Sequence, residues 1–331
     1  MASLARTIPA LLALAATAIA TPVSTPVKRD SCSTYRTVKD WNDLTSDEQS
    51  DYLAAEVCLT EYAATMDLGG SKTYWDELMY NHITQVDYIH FVGQFLPWHR
   101  YFVSVHANAL RDYCGYEGPL AYWNEQEDAS TLTDIEDSTI FQSDAFGGNG
   151  VGDDECIANG PFANVTLTFT PGESPFGGNA TADDTCIFRD LSLSTLQSSD
   201  FDECLEEDNF EDMWDCVENG PHANGHGAVG GLMGNVANSP GDPVFWLHHA
   251  FIDLQWWKWQ SQDLDTRLTE IGGTNGRSSG DEPADIAAYD GDNGNTTTLT
   301  HNLWMMDLYP NVTVADVMSI NYTDVCLDYV Y

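Results

Sequence analysis

The segment FLPWHRYF, residues 95–102, sets a histidine beside an arginine in an otherwise apolar stretch. Proline is favoured in the first turn of a helix and glycine just after its end, which predicts a helix from Pro97 to Cys114. A buried imidazole has to be hydrogen-bonded or bound to a metal, because an unsatisfied polar group costs free energy inside a protein. His99 therefore needs a partner from elsewhere in the chain, and Arg100 is expected to pair with an acid.

A second segment of the same kind is DPVFWLHHAFID, residues 242–253. It begins with an aspartate cap and a proline suited to the first helical turn, and predicts a helix to about Gln262. His248 and His249 lie in its apolar part. Asp253 follows His249 by four residues, so it would share a helix face with that imidazole and could orient it.

The rest of the chain predicts further helices and much irregular structure. Thr45 and Glu48 form a capping box that predicts a helix to about Ala64. Further expectations are a helix over residues 74–82, loops and short strands over 129–215, a short piece from Gly220 to about Gly231, and a long loop over 272–300. The fold class is mainly α, in one domain.

The nine histidines fall mostly into two groups that are more than a hundred residues apart. His222 and His226 are four residues apart and would share a helix face; without a glutamate between them they do not form the zinc-protease pattern. Neutral imidazoles suit copper, zinc, iron or nickel. A single buried histidine is usually a hydrogen-bonded core residue, and one such pair arises often by chance. Six histidines in two groups favour a metal centre.

The N-terminal residues have the features of a targeting segment. An apolar, alanine-rich run follows Arg6 and ends at a small-x-small site, which predicts a signal peptide over residues 1–20 that is too short to span a membrane. A dibasic pair at Lys28 and Arg29 predicts a pro-segment over residues 21–29. The mature domain would then be residues 30–331, and the protein would be secreted and extracellular.

Charge and cysteine content agree with an extracellular protein. The formal net charge of −40 argues against binding to nucleic acid or to an anionic membrane. Eight cysteines, an even number, predict disulfides in an oxidising compartment. Cys32 is expected to pair with Cys326 and Cys58 with Cys114. The other four allow three pairings, of which Cys156–Cys186 with Cys204–Cys216 is preferred. Five sequons could carry sugar, and only some are expected to: Asn164, Asn179, Asn295, Asn311 and Asn321.

Two motifs together resemble those of tyrosinase-type polyphenol oxidases, the type-3 copper family. His90 followed by FLPWHR (95–100) is similar to the copper-A signature, and DPVFWLHHAFID to the copper-B signature. The His222/His226 pair and VGG (229–231) lie between them, and Tyr329-Val330-Tyr331 resembles the family's closing tyrosine motif. Arg36 is expected near Tyr329 or Tyr331, since a cation over an aromatic face would hold the two termini together. The resemblance covers roughly residues 32–331 and implies a central four-helix bundle that holds two copper ions, with many loops and few short strands.

The resemblance also implies the ligands. Copper A would be held by His82, His90 and His99, and copper B by His222, His226 and His249, with His248 behind them. Where the family often has a glutamate this chain has Ala107. The neighbouring His106 is expected in the core or behind the site, with copper contact as the alternative. Tyr88 replaces a cysteine that many fungal members link to a histidine, so no thioether is expected. His301 is expected at the surface.

The family oxidises o-diphenols to o-quinones with dioxygen, so dioxygen and small phenols are the expected partners of a monomeric enzyme. Monophenol hydroxylation in the family is attributed to a water held between a glutamate and an asparagine. Glu218 is the candidate glutamate, but Ala223 occupies the asparagine position, and Gly227 should leave the access open. We therefore expect diphenol oxidation with weak hydroxylation. The alternatives are a true tyrosinase, a haemocyanin-like dioxygen carrier and a structural zinc protein. The natural phenol and the ratio of the two activities are left open.

Overall fold

The computed structural model describes residues 32–66, 68–170, 181–276 and 295–331. The signal peptide and pro-segment predicted for residues 1–29, and the sequon at Asn179, lie outside these residues. The fold is mainly α, as expected. Its helices are α1 (Ser46–Glu61), α2 (Tyr74–Ile89), α3 (Phe95–Cys114), α4 (Glu125–Thr131), α5 (Ser198–Leu205), α6 (Phe210–Val217), α7 (Ala223–Val229), α8 (Val244–Ser261), α9 (Leu264–Arg267) and α10 (Val314–Val317).

Four of these helices form the centre of the molecule. α3 packs against α8 and α2, and α7 packs against α8, while α1 covers α2 and α3 from outside. Large aromatic side chains fill the space between them, and Trp75, Trp98 and Trp246 are almost fully buried. Burial of this much aromatic surface is the main source of the core's stability. Among the described residues, no helix has both the length and the apolar character that a membrane span requires.

Local capping signals placed some helices correctly. Thr45 caps α1 in a full capping box with Glu48, and Gly115 ends α3 in the left-handed conformation. The predicted helix over residues 74–82 is too short, since α2 continues to Ile89. Asp242 accepts a hydrogen bond from the Val244 N–H at the start of α8, as expected of a cap.

The region over residues 129–215 is less irregular than predicted, because it contains α5 and α6. The chain also does not open a separate short piece at Gly220, as predicted. A π-helical turn, Glu218–His222, joins α6 to α7, so one continuous helix runs from Phe210 to Val229. The wider turn accommodates Pro221, which has no N–H to donate and would clash in a regular α-helix.

The strands are short and lie outside the helical centre. A parallel sheet of order β2-β1-β9 joins β1 (Arg36–Asp40) to β2 (Leu120–Tyr122) and β9 (Leu327–Tyr329). Three antiparallel pairs follow: β3 (Gly150–Val151) with β4 (Cys156–Ile157), β5 (Thr166–Thr170) with β6 (Thr181–Cys186), and β7 (Asn302–Leu303) with β8 (Val312–Thr313).

The four disulfides are those that the sequence predicted. Cys32–Cys326 closes the parallel sheet, Cys58–Cys114 ties α1 to α3, Cys156–Cys186 ties β4 to β6, and Cys204–Cys216 ties α5 to α6. The described sequon residues Asn164, Asn295, Asn311 and Asn321 are exposed, which agrees with glycosylation but does not test it.

Buried ion pairs connect the helices to the rest of the chain. The Arg100 Nε lies 2.5 Å from the Asp253 carboxylate, which joins α3 to α8, and the Tyr329 hydroxyl donates to the same carboxylate at 2.6 Å. Arg189 contacts Asp242 through two N–H groups at 2.7 and 2.8 Å. Arg100 therefore pairs with an acid, as expected.

Candidate metal centre

Three buried histidines from α2 and α3 form a first cluster. His82 lies within α2, His90 directly after its last residue, and His99 on α3. Their ring centroids are 4.9 to 5.6 Å apart, and one nitrogen from each ring lies within 4.8 Å of the others. Such a set of three imidazoles can hold one metal ion.

Four histidines form a second cluster. His222 lies in the π-helical turn, His226 on α7, and His248 and His249 on α8. Their nitrogens also lie within 4.8 Å of one another. His226 is the one partly exposed member of the two clusters, so the second cluster lies closer to solvent on the side of α7.

The two clusters adjoin. The rings of His99 and His249 stack with centroids 4.5 Å apart, and the centroids of His90 and His222 are 6.2 Å apart. Apolar rings close the space around them, with Phe245 4.1 Å from His249 and Phe95 4.7 Å from His222. The structure therefore brings together all six histidines that the sequence predicted as ligands.

Most of these rings are held by one nitrogen. The Nδ1 of each lies 2.9 to 3.1 Å from a backbone carbonyl oxygen, which fixes Nδ1 as the donor and leaves Nε2 as the metal-facing atom. These contacts are His82 to Ala237, His90 to Val86, His99 to Phe95, His222 to Glu218 and His226 to Met233. The Nε2 atoms of His82, His99 and His222 are buried with no hydrogen-bond partner among the described residues.

Burial also keeps the imidazoles neutral. It lowers the pKa of His82 to about 3 and, with the neighbouring histidines, lowers the pKa of His99 and His222 well below the usual value. A neutral imidazole offers a lone pair to a metal, and an unsatisfied buried nitrogen is costly unless something binds it. The residues present therefore fit two metal ions with nitrogen ligands, and copper is one such metal.

Glu218 connects the two clusters. Its Oε1 accepts the backbone N–H of Phe91 at 2.6 Å, directly after His90, and its Oε2 accepts the Trp214 Nε1–H at 2.6 Å. Phe91 has a φ of 57°, which is rare for a bulky residue and stays in place only where the surroundings impose it. Phe91 carried no sequence signal, so this link was not predicted.

The residues that the sequence placed near the substrate access, Ala223 and Gly227, lie on α7. Ala223 is exposed, and Gly227 is partly exposed. Asn224 turns away and donates to the Asp200 carboxylate at 2.9 Å. A side chain at Gly227 would come within 3.2 Å of Thr195, a neighbour that the sequence did not indicate.

Three expectations about polar side chains need correction. Asp253 makes no hydrogen bond to His249 among the described residues, because Arg100 and Tyr329 occupy it, and a guanidinium is the stronger partner. His301 is fully buried rather than at the surface, since the segment around it folds back over α3. Arg36, expected near Tyr329 or Tyr331, donates instead to Asn108 and to the Val325 carbonyl.

His106 belongs to the core and not to either cluster. Its Nε2 lies 3.0 Å from the buried Glu56 carboxylate, and its ring stacks on Trp246 with centroids 3.9 Å apart. The sequence left a copper contact open as the alternative, and the geometry favours the core role.

A helical bundle with two adjoining clusters of buried histidines at its centre defines a class of dinuclear metal proteins with imidazole ligands. Residues 72–262, more than half of the chain, match the family model described as the common central domain of tyrosinase. The chain belongs to the tyrosinase family, and it is an oxidase of that family.

Three comparisons show the range of its relatives. The tyrosinase ustQ of Aspergillus flavus is 32% identical over 71% of this chain and 66% of its own length. The N-acetyl-6-hydroxytryptophan oxidase ivoB of Emericella nidulans is 29% identical, over 71% of this chain and 79% of its own. A polyphenol oxidase structure from Thermothelomyces thermophila has 26% identity and a TM-score of 0.75, covering 90% of this chain and 89% of its own. This chain thus spans about two thirds of the length of ustQ.

Proposed function

We propose that the protein is a secreted phenol oxidase that uses two copper ions to convert o-diphenols to o-quinones with dioxygen, with weak hydroxylation of monophenols. The observation that carries the proposal is the pair of adjoining clusters, in which most imidazoles are tethered at Nδ1 and face one another. One copper would be held by His82, His90 and His99, and the other by His222, His226 and His249. The bound copper pair supplies the electron transfer between the phenol and dioxygen.

The chain's own contribution is to position the ligands and keep water out. Phe95 and Phe245 place apolar rings against the imidazoles, which excludes solvent from the space between the clusters. Glu218 links the backbone after His90 to the helix that carries His222, and so helps to set the distance between the clusters. A phenol would approach on the side of α7, where His226 is partly exposed.

The preference for diphenols rests on Ala223. A methyl group cannot orient a water molecule, and the Asn224 amide is already bound to Asp200. Both Glu218 oxygens already accept a hydrogen bond, so a water there would have to share the remaining lone pairs. A monophenol must lose its proton before its oxygen can bind a metal, and it would find no well-placed acceptor.

Paired substrates test this proposal. We expect the wild-type protein, with copper quantified, to oxidise catechol promptly and tyrosine slowly or after a lag. Ala223→Asn should raise the ratio of monophenol to diphenol activity, because loss of a well-placed proton acceptor costs about a hundredfold or more in rate. Glu218→Gln in the Ala223→Asn background should remove that gain.

Other results would favour the alternatives. Tyrosine hydroxylation as fast as catechol oxidation in the wild type would identify a true tyrosinase. Reversible dioxygen binding without catechol turnover would identify a carrier. An unchanged activity ratio in Ala223→Asn would show that the missing amide does not limit hydroxylation.

Secretion is a separate part of the proposal. It is supported by the alanine-rich N-terminal segment, the dibasic pair at Lys28 and Arg29, and the four disulfides. The N-terminal sequence of protein recovered from culture medium should begin at Asp30. A protein retained inside the cell with residues 1–29 intact would contradict both processing steps.

A further inference from the structure

The described surface carries few nucleophilic side chains. All eight cysteines are in disulfides, and eight of the nine histidines are buried. The ninth, His226, is a proposed copper ligand. The full sequence contains four lysines, of which Lys28 lies outside the described residues. Lys39, Lys72 and Lys258 are therefore the side-chain amines that the described part of the chain can offer to an electrophile.

Two of these three lysines are paired with carboxylates. The Lys39 Nζ lies 3.0 Å from the Glu48 carboxylate, and Lys72 binds Asp184. Only a neutral amine has a free lone pair, so each ammonium must give up its partner and a proton before it can attack. Within the part of the chain that the structure describes, Lys258 has no carboxylate at ion-pair distance. Lys258 is therefore the amine with the fewest contacts to break.

The surroundings of Lys258 favour its neutral form. It lies in the last turn of α8 and is partly buried, and its Nζ lies 5.2 Å from the centre of the Tyr331 ring, which is 65% exposed. Burial lowers the pKa of the Lys258 amine below its usual value, and the opposing effect of the Asp202 carboxylate is smaller. A partly desolvated lysine loses its proton more readily and is the better nucleophile.

Helix α5 connects this amine to the side on which a phenol would approach. Its Asp200 accepts the Asn224 amide of α7 at 2.9 Å, and its Asp202 lies close enough to act on Lys258. Lys258 also follows His249 by nine residues on α8, which is a rise of about 14 Å along the helix. A product that leaves past α7 therefore has a short path to Lys258, where the exposed Tyr331 ring offers a flat surface for stacking.

We propose that Lys258 is a covalent modification site for the o-quinones that the protein produces, and that the Tyr331 ring is the surface on which the quinone stacks. This inference rests on the proposed function and extends it to the fate of the product.

The reaction needs no other oxidant or reductant. The lone pair of the neutral Nζ adds to a ring carbon of the quinone that carries hydrogen, and a C–N bond forms. One N–H proton and the proton of that ring carbon move to the two quinone oxygens. The quinone is thereby reduced to a catechol, which stays joined to Lys258, and no group leaves.

Peptide mapping of the copper-loaded protein tests the site. During brief oxidation of 4-methylcatechol, the peptide that contains Lys258 should gain the mass of one 4-methyl-o-benzoquinone. Peptides with Lys39 or Lys72 should be modified about tenfold more slowly or less, because each unit by which burial lowers a pKa raises the neutral fraction of an amine about tenfold. A second sample receives chemically prepared 4-methyl-o-benzoquinone, so that the reactivity of the amines is measured without turnover.

Two conservative substitutions separate this site from the other lysines. Lys258→Arg keeps a positive charge beside Tyr331 and removes the reactive amine, because a guanidinium stays protonated in proteins. This variant should oxidise 4-methylcatechol at the initial rate of the wild type and lose most of the quinone label. Lys72→Arg is the matched control, since it keeps the charge opposite Asp184 and should be labelled at Lys258 as the wild type is.

The outcomes are distinguishable. Labelling of Lys39 and Lys72 as fast as of Lys258, or a Lys258→Arg variant that takes up as much quinone as the wild type, would overturn the inference and leave the proposed function intact. Label confined to the N-terminal amine would contradict it as well. A protein that does not oxidise 4-methylcatechol would overturn the proposed function, and the sample with added quinone would then still decide whether Lys258 is the reactive amine.

Discussion

At the residue scale, Arg100 shows how the chain uses a charge next to a metal ligand. His99 belongs to the first cluster, whereas Arg100 points away from it. The Arg100 guanidinium donates to the Asp253 carboxylate and to the Val317 and Met318 carbonyls. Its guanidinium also stacks on Trp256 at 3.8 Å from the ring centroid. One side chain therefore holds α3, α8 and the segment after α10 together, directly behind the site.

Removing this guanidinium should be costly. Arg100→Met keeps the length of the side chain but leaves the Asp253 carboxylate buried with only the Tyr329 hydroxyl. Loss of one partner of a buried ion pair typically costs about 3 to 5 kcal/mol. We expect a loss of that size in the free energy of unfolding, measured by denaturant titration of the apo-protein.

Arg111→Met is the control for this substitution. Arg111 pairs with Asp112, and both side chains are more than 40% exposed. Exposed ion pairs contribute about 0 to 1 kcal/mol, so this variant should unfold almost as the wild type does. Comparable losses in the two variants would mean that burial does not determine the strength of the Arg100–Asp253 pair.

At the element scale, the π-helical turn sets the direction of two ligands. The five residues Glu218–His222 hold one wider turn between α6 and α7. An extra residue in a helix rotates everything beyond it by about 100°, because a regular turn has 3.6 residues. The turn therefore decides which face of α7 carries His226 toward α8.

Deleting Asn219 tests this directly. The residue is exposed, and its side-chain amide donates to the carbonyl and the carboxylate of Asp215 one turn earlier. In a Pro221→Ala background, where no proline ring clashes with a regular helix, its removal should restore the α-helix and rotate His226 away from the second cluster, so the protein should stay helical and lose one copper. Asn219→Ala in the same background keeps the register and should retain both. Full copper content in the deletion variant would show that the wider turn is not needed for the site.

Elements with local signals were the ones that the sequence predicted well. The capping box of α1 and the caps of α3 and α8 are formed by residues within a few positions of the helix ends, and all three helices were predicted. α6 was missed, although Phe210, Met213 and Val217 have helical spacing, because the acids and glycines around it suggested loops. Gly220 and Pro221 were expected to open a separate short piece, because a π-helical turn has no recognised sequence signal that would join that piece to α6.

In the candidate site, too, the residues with local sequence signals were predicted and those that meet only through the fold were not. The two motifs and the His222/His226 pair carry their histidines within a few residues, and the family resemblance added His82, so six ligands could be named before the fold was known. Glu125 and His248 are 123 positions apart and meet only in the tertiary structure. The competition between His249 and Arg100 for Asp253 is likewise decided by packing, because spacing alone placed Asp253 beside the imidazole.

At the scale of the whole molecule, residues from both ends of the described chain are joined to each other. β1 lies between β2 and β9, and the Cys32–Cys326 disulfide closes the sheet with a sequence separation of 294. The Tyr329 hydroxyl then connects β9 to Asp253 on α8. The sheet is thus linked to the helical centre through a residue that also binds Arg100.

The disulfide that closes the longest loop, Cys32–Cys326, should stabilise the fold more than the one that closes the shortest loop, Cys204–Cys216. In the chain-entropy model a cross-link stabilises more when it closes a longer loop. Replacing Cys32 and Cys326 by serine should cost on the order of 5 kcal/mol, against about 3 kcal/mol for Cys204 and Cys216, which are 12 residues apart. Denaturant unfolding of both double variants measures the difference. A smaller loss for the Cys32–Cys326 pair would contradict the entropic account.

The parallel sheet also imposes an order of events during synthesis. β1 emerges from the ribosome early and can pair with β2 on one side once residue 122 has appeared. Its other partner, β9, is made only at residues 327–329. At a translation rate of about 5 to 20 residues per second, β1 then waits about 10 to 40 s with one edge unpaired. An open strand edge invites pairing with other chains. Chaperone capacity during that interval should therefore limit the yield of soluble protein in a foreign host.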